Sequence, residues 1–177
     1  WRHMLEMHAA GRASRCDLIN LCVWAKSNGG MGSLYRSRHE LIFVFKNGDE
    51  AHQNNVQLGR FGRNRTNVWN YAGANSFPRR GQRNSIDLHP TAKPIALVAD
   101  AILDCTRRGD IVLDPFIGSG TTILAAERTG RHAHGIELDP LYVDTAIERW
   151  QRMSGREARH ANGETFSALK KARRAAP

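Results

Sequence analysis

Ile111-Val112-Leu113-Asp114-Pro115-Phe116-Ile117-Gly118-Ser119-Gly120-Thr121-Thr122 is the stretch that decides the fold. Its apolar start ending in Asp reads as a short buried strand, and Gly118-Ser119-Gly120 as a tight turn. Thr121 to Arg128 then reads as a helix closed by Gly130. A second strand is expected at His134-Gly135-Ile136-Glu137-Leu138. Asp139 caps the following helix, with Pro140 at its first position and an end near Met153. Strand, helix, strand, helix with short connections predicts a right-handed parallel βαβ unit, hence an α/β, doubly wound sheet.

Working outward, Ile95, Val98, Ala101, Ile102 and Cys105 recur at helical spacing behind Pro94. Arg107 and Arg108 are expected to complement that helix's C-terminal dipole and Gly109 to stop it. Further upstream, residues 1–12 read as the end of a helix with Gly11 as its stop. Leu18–Trp24 and Leu41–Phe45 read as strands, and 27–33 as a glycine loop, a lid or a plain connection. Residues 51–86 differ: they hold six Arg and no Asp or Glu, interleaved with Asn, Gly and aromatics, and read mostly as loop. The stretch 154–177 is basic and Ala-rich, a weak helix or a frayed tail.

Ligands of such sheets bind beyond the carboxyl ends of the strands. Asp114 to Thr122 lies at that edge, and Glu137 follows 23 residues after Asp114, where a carboxylate can accept from both hydroxyls of a ribose. Spacing tests two rivals. The dinucleotide pattern G-x-G-x-x-G would need Gly at position 123, which is Ile123, and the phosphate loop G-x-x-x-x-G-K-[ST] does not occur. A nucleoside without phosphate fits better, and S-adenosylmethionine is the commonest such cofactor. A purely structural glycine turn is the competing reading, and Glu137 in register weighs against it.

Composition bounds the rest. The 177 residues suit one domain or most of one, and 41% hydrophobic with 24% charged residues is ordinary for a globular chain. No apolar run approaches the roughly 20 residues of a membrane span. The net charge of +9 favours a polyanionic partner. Cys16, Cys22 and Cys105 are odd in number and unevenly spaced, which predicts buried reduced thiols, a cytoplasmic protein and no metal site. The opening Trp1-Arg2-His3-Met4-Leu5-Glu6 has no initiator Met and already reads as helix, so a fragment is expected.

Three motifs in one order carry a resemblance. His89-Pro90-Thr91-Ala92-Lys93-Pro94, then Leu113 to Thr122, then Gly135-Ile136-Glu137-Leu138-Asp139-Pro140-x-Tyr142 are similar to the N6-adenine/N4-cytosine DNA methyltransferases, in the permuted order with cofactor motifs at the C-terminus. Trp24-Ala25-Lys26, Gly30-Met31-Gly32-Ser33, Phe43-Val44-Phe45-Lys46 and Arg65-Thr66-Asn67-Val68-Trp69-Asn70-Tyr71 also look like this family. The resemblance covers roughly residues 1–150. It implies a Rossmann-like S-adenosylmethionine-dependent sheet, here incomplete, and a double-stranded DNA substrate of a restriction-modification type. Asp114, Pro115, Phe116, Gly118, Ser119, Gly120 and Thr121 would hold the cofactor's methionine part and ring, Glu137 its ribose hydroxyls, Thr91 and Lys93 its carboxylate.

The family's catalytic [D/N/S]-P-P-[Y/F/W] motif is the departure. The prolines are Pro78, Pro90, Pro94, Pro115, Pro140 and Pro177, and none are adjacent. The motif is expected just upstream of Trp1, in a missing N-terminal segment, so no catalytic residue is assigned in this chain. The division expected is 1–50 for the catalytic half of the sheet, 51–87 for a target-recognition insertion, 88–153 for the cofactor half and 154–177 for a basic tail. An enzyme acting on a base must extrude it from the duplex. Arg60, Arg63, Arg65, Asn67, Trp69, Arg79, Arg80 and Arg83 are the candidate DNA contacts, Arg for phosphate or guanine, Asn for adenine, Trp for stacking. The resemblance leans to adenine N6 over cytosine N4. The alternative is a catalytically dead, DNA-binding remnant that keeps the cofactor fold.

Overall fold

The computed structural model describes residues 2–32, 34–60, 62–73 and 93–175, and the chain divides into two compact units. The first comprises Trp1–Asn84 with Leu103–Thr106, the second Ser85–Ile102 with Arg107–Pro177.

In the first unit, helix α1 (Met4–Ala13) precedes strands β1 (Cys16–Ala25), β2 (His39–Asn47) and β3 (Val68–Asn70). The sheet order is β2-β1-β3, antiparallel for β1 with β2 and parallel for β1 with β3. A register shift between Leu18 and Asn20 breaks the β1–β2 ladder. Gly11 does not stop α1. It is buried inside the helix, where a Cβ would stand 2.3 Å from Phe45 Cε1, so its bare backbone is what lets the helix lie against β2. The helix ends at Ser14, before Arg15 at φ 57°. Trp24 is 2% exposed and donates from Nε1 to Tyr71 O at 2.9 Å, tying β1 to the segment after β3.

The second unit holds most of helix α2 (Ile95–Cys105), β4 (Ile111–Asp114), α3 (Thr121–Thr129), β5 (His132–Gly135), α4 (Pro140–Ser154) and α5 (Phe166–Ala175). β4 and β5 are parallel neighbours joined through α3, as the sequence predicts. Ile102, Ala125 and Ala126 form the buried centre, with Ile95, Val98, Ala99, Val112 and Ala133 packed on it. Small alanines on α3 let the helix lie close to both strands. Among the described residues, however, one face of β4 is covered. Val112 faces α3, whereas Ile111 and Leu113 are 67% and 66% exposed, so the expectation of a fully buried strand is corrected.

Two ends also differ from expectation. Strand β5 is His132–Gly135, not 134–138, and Ile136 and Leu138 are exposed at 62% and 97%. Their apolar side chains mimic a strand, but Asp139 captures Leu141 N at 2.9 Å and starts α4 instead. Helix α2 ends at Cys105, so Arg107 and Arg108 lie beyond it, in the turn that Gly109 closes at φ +86°. Asn55 meets the end of α2, its Nδ2 donating to Leu103 O at 2.8 Å and, just past the helix, to Thr106 O at 2.7 Å.

The tail is ordered into a short antiparallel bridge, Arg159 with Thr165, followed by α5. Phe166 is buried, and Lys170 and Arg173 pair with Glu148 and Asp144 of α4. Cys22 is buried, but Cys105 is exposed and Cys16 half-buried, which corrects the expectation of buried thiols at two of three positions. No helix of the described residues is long and apolar enough to cross a membrane.

Candidate functional site

The turn after β4 is shaped by two carboxylates. Asp114, the last residue of β4, accepts from Phe116 N at 3.0 Å through Oδ1 and from Thr122 Oγ1 at 2.6 Å through Oδ2. It thereby joins the strand end to the first turn of α3. Across the sheet, Glu137 folds back two residues past β5. Its Oε2 accepts from Gly118 N at 2.8 Å and its Oε1 from Asp139 N at 3.0 Å. Backbone bonds Ile136 N to Asp114 O and Ile117 N to Ile136 O carry the β4–β5 pairing past the strand ends. Glu137 is thus held over the glycine turn by the sheet itself.

Gly118 and Gly120 have φ +51° and +82°, which side chains resist. Gly120 also lies against α4, where a Cβ would stand 2.6 Å from Ala146 Cβ. A Cβ on Gly135, opposite Asp114, would stand 2.0 Å from Ile117 Cδ1, so the bare Cα makes room for the Ile117 side chain. Each carboxylate oxygen has two lone pairs. Asp114 and Glu137 thus bring two carboxylates to the turn, a group type that accepts from hydroxyl or ammonium groups.

The nine expected cofactor residues between Lys93 and Glu137 do not all face the same way. Phe116 is 87% exposed and Pro115 exposed at the mouth, whereas Ser119 and Thr121 are buried at 4% and 7%. Ser119 Oγ points inward and accepts from Arg149 Nη1 at 2.8 Å. Lys93 is exposed just before Pro94, and Thr91 lies outside the described residues. Sequence reasoning missed Thr122, Ala146 and Arg149. Arg149 carried a signal: it falls on the α4 face of Tyr142 and Ala146, where helical spacing calls for a small or apolar residue.

In the first unit, Arg60 and Arg63 are exposed on a tight turn, with Gly59 N donating to Arg63 O at 3.0 Å and Arg63 Nη1 to Gln57 Oε1 at 3.3 Å. Arg65 stands differently. Its Nε lies 2.6 Å from Asp104 Oδ2 and its guanidinium 5.0 Å over the Trp69 ring. Nε and Nη2 are buried without a directed hydrogen bond, so the Asp104 contact is a charge pairing off the N–H axis. Asn67 Nδ2 donates to Leu21 O at 3.1 Å, and Trp69 Nε1 to Thr66 O at 3.1 Å. Arg65, Asn67 and Trp69 thus have partners within the unit, and Arg63, Arg65, Trp69 and Asp104 help line a cavity of about 620 Å³. Arg79, Arg80 and Arg83 lie outside the described residues.

Comparison with known proteins gives a consistent result. The model of a family described as DNA methylase matches residues 5–148. The type II methyltransferase M.Cfr9I of Citrobacter freundii is 35% identical over 161 residues, covering 85% of this chain and 49% of that protein. M.XycI of Xanthomonas campestris pv. cyanopsidis, also a type II methyltransferase, is 34% identical with the same coverage. The chain spans about half the length of these curated relatives. Among solved structures, the M1.HpyAVI–SAM complex superimposes with a TM-score of 0.63 at 25% identity, over 84% of this chain and 70% of that one.

Proposed function

Because the chain belongs to the DNA methylase family, whose model spans residues 5–148, we propose that it carries the S-adenosylmethionine site and a DNA-facing segment of a methyltransferase. The whole protein then acts on the exocyclic amino group of adenine (N6) or cytosine (N4) in duplex DNA. The observation that carries this reading is Glu137 closing over Gly118 from the neighbouring strand end at 2.8 Å.

The residues fit the cofactor on their own chemistry. Two carboxylates, Asp114 and Glu137, offer acceptors to hydroxyl and ammonium groups. Gly118 and Gly120 leave the backbone bare, and exposed Phe116 and Leu138 offer apolar surface for a ring. No lysine stands in the turn for phosphate. The relative M1.HpyAVI was solved as a SAM complex, which supports the same ligand here.

When bound, S-adenosylmethionine supplies a methyl group on a sulfonium, open to in-line attack by an amino nitrogen. The part of this chain is to bind and orient, which is where most of the barrier reduction in such a transfer arises. Glu137 and Asp114 fix the nucleoside and amino-acid ends by hydrogen bonds that a carboxylate makes strongly. Residues 88–153 form this cofactor half, and residues 51–87 the target-recognition insertion. In that insertion exposed Arg60 and Arg63 meet phosphate, while Arg65, Asn67 and Trp69 hold the segment's shape. Since no two prolines are adjacent, no residue of this chain is assigned to activating the amino group. We place the protein in the cytoplasm, in a restriction-modification setting such as its type II relatives suggest.

Calorimetry with S-adenosylmethionine on the full chain and on Glu137→Ala tests the reading. Charged hydrogen bonds contribute about 1.5–3 kcal/mol each, so the variant should bind about tenfold to a hundredfold more weakly. Absent binding by the parent chain, or equal binding by both, overturns it. The rival reading is a DNA-binding remnant without transfer. Mass spectrometry of duplex DNA treated with the full-length gene product separates the two and identifies the base.

A further inference from the structure

Helix α4 reaches the Gly118–Gly120 turn with two residues on one face. Ala146 is 3% exposed and packs on Gly120. Three residues later, Arg149 Nη1 donates both to Ser119 O and, at 2.8 Å, to Ser119 Oγ. Ser119 O and Gly120 N are the two ends of one peptide, and Gly120 N donates to Ile117 O at 2.9 Å. That peptide is therefore held at both ends. It could not flip without breaking both bonds, although the glycines beside it have little conformational preference of their own. Burial of the guanidinium draws its pKa down, with the Arg152 charge a smaller cause, yet an arginine stays cationic at any working pH. A charge-assisted bond in a partly desolvated place is stronger than the same bond in water.

We infer that Arg149 is a positioning residue, whose guanidinium locks the Ser119–Gly120 peptide and so keeps Gly118 N aimed at Glu137 in the shape the cofactor needs. The inference rests on the proposed cofactor site for its functional consequence, but the locking of the turn can be read without any ligand. Arg149 touches no reacting atom, and among the expected cofactor residues it bonds Ser119. It acts through the backbone of Ser119.

The test uses the full chain with R149M, R149K and S119A, amide NMR of the Gly118 and Gly120 signals, and calorimetry with S-adenosylhomocysteine. R149M should move or broaden both glycine amide signals while leaving those of α5 in place, and weaken binding about tenfold or more. R149K still reaches one oxygen and should recover part of the affinity and of the glycine signals. S119A keeps the carbonyl bond, so its loss should be about threefold or less. A merely structural role would lower thermal stability without rescue by lysine and without a change confined to the turn. The inference is overturned by R149M leaving both glycine amides unmoved, or by R149M and R149K losing affinity equally. Should the parent chain bind no cofactor while R149M still shifts the two amides, the lock stands and the proposed function falls.

Discussion

Gly120→Ala isolates the contact on which the turn's geometry depends. Two penalties act at this position. An L-residue at φ +82° carries left-handed strain of about 1–2 kcal/mol. The new methyl would also stand 2.6 Å from Ala146 Cβ and 3.0 Å from Ala146 Cα, backbone that a rotamer change cannot clear. Overpacking of this kind adds about 1–3 kcal/mol. Together they predict a loss of about 2–5 kcal/mol in the second unit. Gly109→Ala provides the control: φ is +86°, but nothing lies within 4 Å of the added Cβ, so only the strain of about 1–2 kcal/mol remains. Urea denaturation followed by hydrogen exchange in α3 peptides would compare the two variants in the same unit. Equal losses for both variants would refute the reasoning, because the α4 contact would then contribute nothing.

Three further outcomes are expected. Asn55→Ala removes both bonds to Leu103 O and Thr106 O and should destabilise the first unit by about 1–3 kcal/mol in thermal unfolding. Asn55→Asp should do worse, since a carboxylate would face two carbonyl oxygens. Burial raises the Cys22 thiol above its usual 9.0, with Arg65 lowering it and Asp104 raising it as smaller causes. The stability this neutral thiol lends is complete below pH 9.0 and falls as pH rises through the raised folded value. Iodoacetamide mapping by mass spectrometry should find Cys105 labelled first and Cys22 protected until unfolding. If Arg60 and Arg63 touch phosphates, each alanine variant should lower the slope of log binding constant against log salt by about one, and an unchanged slope removes that residue from the interface.

The βαβ core was legible because its punctuation is chemical. Gly130 closes α3 at φ +71°, Asp139 caps α4 through Leu141 N, and Pro140 sits where a missing N–H does no harm. Glu137 was legible as a carboxylate at a strand's end, although the strand itself stops two residues earlier. What local patterns leave out shares one physical origin, a residue whose partner is distant in sequence. Gly11 reads as a helix stop until Phe45 is seen beneath it. Ser119 reads as a ligand contact, and nothing near it in sequence announces Arg149, 30 residues on, which bonds its Oγ. Arg65 reads as one more cation of a basic loop, yet Asp104 pairs with it from the far side of a segment that local patterns could not place. Local propensity sets turns and caps, while tertiary packing decides which polar side chains remain free for a partner.

The account stands on Glu137 and the Gly118 turn cradling a nucleoside, and a crystal structure of the chain grown with S-adenosylhomocysteine examines that most directly. The expected result is a ribose whose two hydroxyls lie within hydrogen-bond reach of the Glu137 carboxylate, with Gly118 N still bonded to it. A nucleoside bound elsewhere, or at this turn with Glu137 swung away from the sugar, would contradict it.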